Sequence, residues 1–120
     1  MSDVWKTRFQ RSSRLLKALA HPLRLEMVCG LREEPCTQTF IADTLGIPQS
    51  SVAQHLKVLR TEGLIRAERR GVEVVFSIAD PVVTDIVDTL CKKDGRDVHL
   101  RDSWQEIAAL EQARRSSGSC

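Results

Sequence analysis

A chain of 120 residues is long enough to bury one core and too short for two, so a single domain over residues 1–115 with a flexible tail at 116–120 is expected. Its 42% hydrophobic and 28% charged residues lie in the ordinary globular range, which excludes disorder of the whole chain. The net charge of +2 neither requires nor excludes a nucleic-acid partner, because clustering of Lys and Arg on one face decides that and a total hides it.

The first residues, Met1-Ser2-Asp3-Val4-Trp5-Lys6, lack the apolar centre of a signal peptide. No run approaches the length that spans a bilayer, so a cytoplasmic protein with no membrane partner is expected. Residues 4–19 then place Trp5, Phe9, Leu16 and Leu19 at helical steps, with Lys6, Arg8, Arg11, Arg14 and Lys17 elsewhere, which predicts an amphipathic first helix. His21-Pro22 breaks it. Proline suits the first turn of a helix, so residues 23–32 read as a second one with Met27, Val28 and Leu31 inward.

Pro35 ends that stretch, and Thr37 has the character of an N-cap for a short helix carrying Phe40, Ile41 and Leu45 and stopping at Gly46. The turn Gly46-Ile47-Pro48 leads to another helix over residues 49–62. There Val52, Leu56 and Leu59 form an apolar stripe, while Ser50, Gln54, Lys57 and Thr61 fall on the opposite face. After Gly63 the period shortens: residues 64–69 and 72–78 are β-rich runs flanking Arg70-Gly71, which predicts a hairpin with a basic turn. Asp80-Pro81 opens a helix to about residue 93 with Val83, Ile86, Val87 and Leu90 inward, and a last helix with Trp104, Ile107 and Leu110 follows over residues 100–114.

Two short helices joined by a glycine turn, followed by a two-stranded basic hairpin, make a mostly α winged helix-turn-helix. The buried stripe holds the second of these helices to the domain. Its other face is then available to a major groove about 12 Å wide, presenting Gln49, Ser50, Ser51, Gln54, His55 and Lys57 to bases and phosphates. Arg60, Arg66, Arg69 and Arg70 extend the positive surface toward the backbone. Exposed Gln, Ser and Arg are also ordinary solvated residues, and a lone His such as His55 is more often a surface or capping group than a metal ligand.

Five stretches carry a family resemblance: Leu19-Ala20-His21-Pro22-Leu23-Arg24-Leu25; residues 45–60, centred on Ser50-Ser51-Val52-Ala53-Gln54-His55-Leu56; Gly63-Leu64-Ile65; Arg69-Arg70-Gly71; and Val75-Phe76-Ser77-Ile78. Over roughly residues 10–90 the chain closely resembles the ArsR/SmtB family of winged-helix repressors. The resemblance implies a homodimer joined through the first and fifth helices and derepression by an inducer. Pairing is also expected physically, because Trp5, Phe9 and the stripe on residues 83–90 exceed what one small protomer can cover. A palindromic double-stranded operator follows, with recognition helices about 34–36 Å apart.

Many members of that family sense metals. The Cys-x-Cys pair that opens the third helix in one of its sites is here Cys36-Thr37-Gln38, with one thiol. A second family site, on the fifth helix, retains Asp80 but has Val82 where a His is expected, with Lys92 and Lys93 near the later ligand positions, so zinc, nickel or cobalt sensing there is not expected. Leu25-Glu26-Met27-Val28-Cys29-Gly30-Leu31 resembles the second-helix segment of the thiol-switch members, which pair that cysteine with one late in the fifth helix. Cys91 falls about one turn early for that pattern, and Lys92 and Lys93 beside it favour its thiolate.

Three readings of the four cysteines therefore stand open. Cys29 and Cys91 form a reactive-sulfur or oxidant switch, closing to a disulfide or bridging sulfur when their Cα atoms lie within about 4.4–6.8 Å. Alternatively, thiolates drawn from Cys29, Cys36, Cys91 and Cys120 capture a thiophilic metal(loid) such as arsenite. The third reading makes them core residues. No resident cofactor is required by any of them.

No phosphate loop, nucleophile elbow or zinc-protease motif occurs, and His21, His55 and His99 lack a paired acid or nucleophile at diagnostic spacing, so no enzyme is expected. His21 is expected to cap or pack at a helix junction. The rival from another class is a winged helix adapted to bind protein, against which the arginines of the turn and a polar recognition face both argue.

Overall fold

Capping residues set several of the helix boundaries. The computed structural model describes residues 3–93, with side chains from 4 to 90. Over that span it contains α1 (Asp3–Leu19), α2 (Pro22–Glu33), β1 (Cys36–Thr37), α3 (Gln38–Leu45), α4 (Gln49–Thr61), β2 (Ile65–Arg70), β3 (Glu73–Ile78) and α5 (Pro81–Lys93). The expected helix over residues 100–114, His99 and the tail with Cys120 lie outside the described residues, as do the side chains of Cys91, Lys92 and Lys93.

At the α1–α2 junction Pro22 takes the first helical position, and the His21 ring caps α2, its Nδ1 accepting the Leu23 N–H at 3.2 Å. The expectation of a capping His21 is met. Thr37 Oγ1 accepts the Phe40 N–H at 3.1 Å and starts α3. Gly46, at φ 68°, closes α3 in the left-handed conformation and donates its N–H to the Ala42 carbonyl at 2.9 Å.

The core gathers one face of each element: Met27, Val28 and Leu31 of α2, Ile41 of α3, Val52, Leu56 and Leu59 of α4, Leu64 and Ile65 at the start of the hairpin, Phe76 of β3, and Val83 and Val87 of α5. Fully burying each such aliphatic side chain contributes about 1.5–3 kcal/mol. The inward stripe expected on α5 is shorter than the sequence suggests. Leu90 is 42% exposed, because an apolar repeat marks a helix face without saying how far its neighbour extends along it. The first turns of α1 also lie open: Trp5 and Phe9 are 47% and 53% exposed, their ring centroids 4.4 Å apart, and only the last turn, at Ala18 and Leu19, is buried.

The two-stranded hairpin expected from sequence is one part of a three-stranded antiparallel sheet in the order β1-β3-β2. β1 aligns Cys36 with Phe76 and Thr37 with Val75. Two residues carry no readable periodicity, and their partners lie far along the chain, so this strand is invisible locally. The hairpin itself turns at Gly71-Val72 between the paired Arg70 and Glu73, with Gly71 at φ 65°, the positive φ that a glycine-first two-residue turn requires. Among the described residues no helix is long and apolar enough to cross a membrane.

Candidate nucleic-acid interface

Helices α3 and α4 meet across Gly46-Ile47-Pro48. The Pro48 carbonyl accepts from Ser51 N–H at 3.1 Å and Val52 N–H at 3.2 Å, so α4 begins sharply at Gln49. The amide of Gln38, at the start of α3, donates to the Gln49 carbonyl at 3.3 Å and to Gln49 Oε1 at 3.4 Å. This bridge joins the N-terminal ends of the two helices, and nothing in the local sequence pattern signals it.

With Val52, Leu56 and Leu59 buried, Ser50, Gln54, Lys57 and Thr61 are exposed on the opposite side of α4, as their spacing requires, and Ser51 is half-buried on the flank. Arg60, in the last turn, is exposed on the other flank. The Gln54 side chain makes no hydrogen bond among the described residues, which leaves both its amide donor and acceptor for an incoming base, whereas the amide oxygen of Gln49 is already engaged.

His55 departs from the expected outer face. Its ring lies against that of His21, with centroids 4.6 Å apart and planes tilted by 47°, so it faces the N-terminal end of α2 instead of the groove-facing side. Burial against this junction lowers its pKa, and the nearby charges of His21 and Arg24 push the same way. The reason is angular: position 55 lies about 40° around the helix from Leu59, on the flank of the buried stripe, where the approach of α2 decides which side it joins.

On the wing, Arg66, Arg69 and Arg70 are all exposed, but Glu68 Oε2 lies 3.5 Å from Arg70 Nη2 on the same face of β2. This surface pair dilutes the positive charge expected of the turn. A second basic group compensates at the other end of α4. Arg14 and Lys17 of α1, with Arg24 of α2, border a small hollow against Val58 and Glu62. Arg24 is fixed there by donating to the Ala18 carbonyl at 2.6 Å. The i, i+3 spacing of Arg14 and Lys17 was the one available signal that they share a face.

The candidate sensing cysteines divide differently. Cys29 is buried in α2, and Cys36 is buried in β1, where its Sγ–H donates to the Glu34 carbonyl at 3.3 Å. Arg32 of α2 pairs with Asp88 of α5 and with Glu33 at 2.8 Å, tying the second helix to the fifth. Cys91 belongs to the backbone of α5, but its side chain is outside the described residues, as is Cys120. Among the described residues no cluster of three or more His, Cys, Asp or Glu is placed to hold a metal ion.

A helix pair with one stripe buried and the other presented to solvent, followed by a two-residue-turn hairpin, defines a winged helix-turn-helix protein. Residues 21–67 match the family described as bacterial regulatory protein, arsR family. The chain is 35% identical over 82 residues to the HTH-type transcriptional regulator YgaV of Escherichia coli, covering 68% of this chain and 83% of that one. It is 42% identical over 73 residues to the HTH-type transcriptional repressor SmtB of Mycobacterium tuberculosis, a match that covers 61% of this chain and 54% of SmtB, little more than half of that relative. The crystal structure of the transcriptional repressor PagR of Bacillus anthracis superposes with a TM-score of 0.67 at 35% identity, over 71% of this chain and 98% of PagR. The chain belongs to the arsR family of bacterial regulators, a family of transcription regulators and not of enzymes.

Proposed function

We propose that this protein is a DNA-binding transcriptional repressor that acts as a homodimer on a palindromic operator. One observation carries the reading: α4 is held by Val52, Leu56 and Leu59 while Ser50, Gln54, Lys57 and Thr61 stand exposed on its other side. Polar side chains on a rigidly held helix suit base edges in a major groove, and the basic groups at both ends, Arg69 and Arg70 on the wing and Arg14, Lys17 and Arg24 near α1, suit the flanking phosphates. The exposed Trp5, Phe9 and Leu16 of α1 and Val82 and Leu90 of α5 are the surfaces that a second copy covers.

The reading is tested by selecting binding sites from a random duplex pool and titrating salt against the winner. Recovery of a two-fold symmetric site, with affinity falling by about 0.9 log unit per phosphate contacted for each log unit of salt, supports it. Equal binding to every duplex, or no binding at low salt, overturns it.

The inducer acts on cysteine thiols, Cys29 and Cys91 being the switch. Support comes from the Arg32–Asp88 pair: Cys29 lies three residues before Arg32 on α2 and Cys91 three residues after Asp88 on α5, so the two cysteines stand on helices already joined. A covalent link there moves α5 relative to α2, and with it the spacing of the paired recognition helices. Cys29→Ser is expected to keep basal operator binding and lose the response to polysulfide or peroxide; an unaltered dose response removes Cys29 from the switch. The competing inducer, a thiophilic metal(loid) held by thiolates of Cys29, Cys36, Cys91 or Cys120, predicts release by arsenite with no Cys29–Cys91 crosslink in the intact mass.

A further inference from the structure

β1 is so short that, among the described residues, it leaves one edge of β3 unpaired beyond Val75. Pairing ends at Thr37 opposite Val75; the chain then caps α3 with the same Thr37 and turns away, so Val74 and Glu73 have no β1 neighbour. Between the departing α3, the first residue of α4 and this free edge lies a cleft of about 810 Å³. That volume is within the range of small-molecule sites, about 300–1,000 Å³.

Its lining is chemically uneven. Phe40 and Val74, 45% and 44% exposed, and the edge of Phe76 supply an apolar floor, and Asp43 and Glu73 supply two carboxylates. Gln49 closes one end, and no Lys, Arg or His is among the described residues that line it. In a chain of net charge +2 this is an acidic, aromatic-floored site next to a surface otherwise suited to phosphate. The carboxylates repel a nucleic-acid backbone, while a half-exposed phenyl ring beside carboxylates suits an organic cation, through the quadrupole of the ring and through Coulomb attraction.

We infer that the cleft between α3 and the wing binds an amphipathic organic cation, and that its occupancy lowers affinity for DNA. The second half rests on the DNA-binding reading above. Gln49 begins the recognition helix, and Val72 to Val74 belong to the wing, so a molecule wedged here bears on both groups that must seat together on a duplex. Coupling of this kind is reciprocal: DNA weakens the cation as much as the cation weakens DNA. The input is separate from the cysteines and persists in Cys29→Ser.

The test uses tetraphenylphosphonium and tetraphenylborate, matched in size and shape and opposite in charge, titrated by calorimetry into the full chain without DNA. The overall positive charge favours the anion, so a preference for the cation reports the cleft. The expected result is one phosphonium per chain, bound at least ten-fold more tightly than the borate. Asp43→Asn with Glu73→Gln, two exposed substitutions that leave the core alone, weakens the cation at least ten-fold, and Phe40→Ala weakens it several-fold. Equal or tighter binding of the borate, or unchanged cation binding by the double variant, overturns the site. Repeating the titration on the complex with the selected duplex tests the coupling: weaker phosphonium binding supports it, and unchanged binding overturns it. A chain that binds no duplex overturns the coupling and the repressor reading together, while the DNA-free titration still decides the site.

Discussion

Gln54→Ala is the most searching perturbation of the interface. Gln54 is exposed, on the side of α4 opposite Leu56 and Leu59, and its side chain makes no hydrogen bond among the described residues, so truncating it should change stability by no more than about 0.5 kcal/mol. An amide presented edge-on to adenine satisfies a donor and an acceptor together, worth about 1–3 kcal/mol of discrimination. A symmetric pair of chains makes that contact twice, so the loss on the selected operator should be about 2–6 kcal/mol, or roughly 30-fold to 10⁴-fold in Kd. Fluorescence anisotropy on the operator and on single-base variants at fixed salt measures both affinity and selectivity. The loss should fall on one base pair per half-site, where the variant no longer distinguishes adenine. Gln49→Ala should be less base-selective, since Gln49 Oε1 is already engaged by Gln38 at 3.4 Å and its loss chiefly loosens the joint between α3 and α4. If Gln54→Ala weakens binding to every duplex alike, or not at all, the orientation assigned to α4 is wrong.

The wing should behave as a charge and not as a reader. Arg70→Ala is expected to weaken all duplexes similarly and to lower the salt slope by about 2, one phosphate contact from each chain of the pair, whereas Glu68→Gln, which releases Arg70 from its 3.5 Å partner, should strengthen them; a change confined to the cognate site would mean that the wing reads bases. Leu59→Ala, at a position with no exposure, should cost about 2–5 kcal/mol in urea unfolding at fixed protein concentration, and a loss under 1 kcal/mol would contradict the packing of α4. His55 gives a pH dependence of definite sign. Its folded pKa lies below the ordinary 6.5, so the unfolded chain binds more protons, and stability falls as pH drops below about 6.5 until the folded ring is also protonated. Glu26, whose pKa burial raises, contributes with the opposite sign in the carboxylate range, so the comparison is with His55→Gln, which should flatten the slope near pH 6; identical profiles would detach His55 from the α2 junction.

Much of the architecture was legible because its signals are local. Pro22, Thr37 and Gly46 each act on the backbone within one turn, through a fixed φ, a side-chain oxygen or a left-handed residue, and all three mark boundaries that the fold uses. The stripe Val52, Leu56, Leu59 needs only the helical period to identify the face that must be buried, and the opposite face follows by subtraction.

Other features arise between segments far apart in the chain, where residue pattern is silent. Cys36 becomes a strand because Phe76 offers it an edge, His55 turns aside because His21 arrives beside it, and the Arg32–Asp88 pair exists because α2 and α5 share a core. The cleft beside the wing has the same origin: each of its residues reads as an ordinary surface position, and the uncovered edge of β3 brings Phe40, Asp43, Glu73 and Val74 together. The order of residues thus determined which helices form and which sides they bury, since those choices are made over a few bonds. Tertiary packing decided what the exposed sides meet, since that depends on the distances between elements and not on the sequence within any one of them.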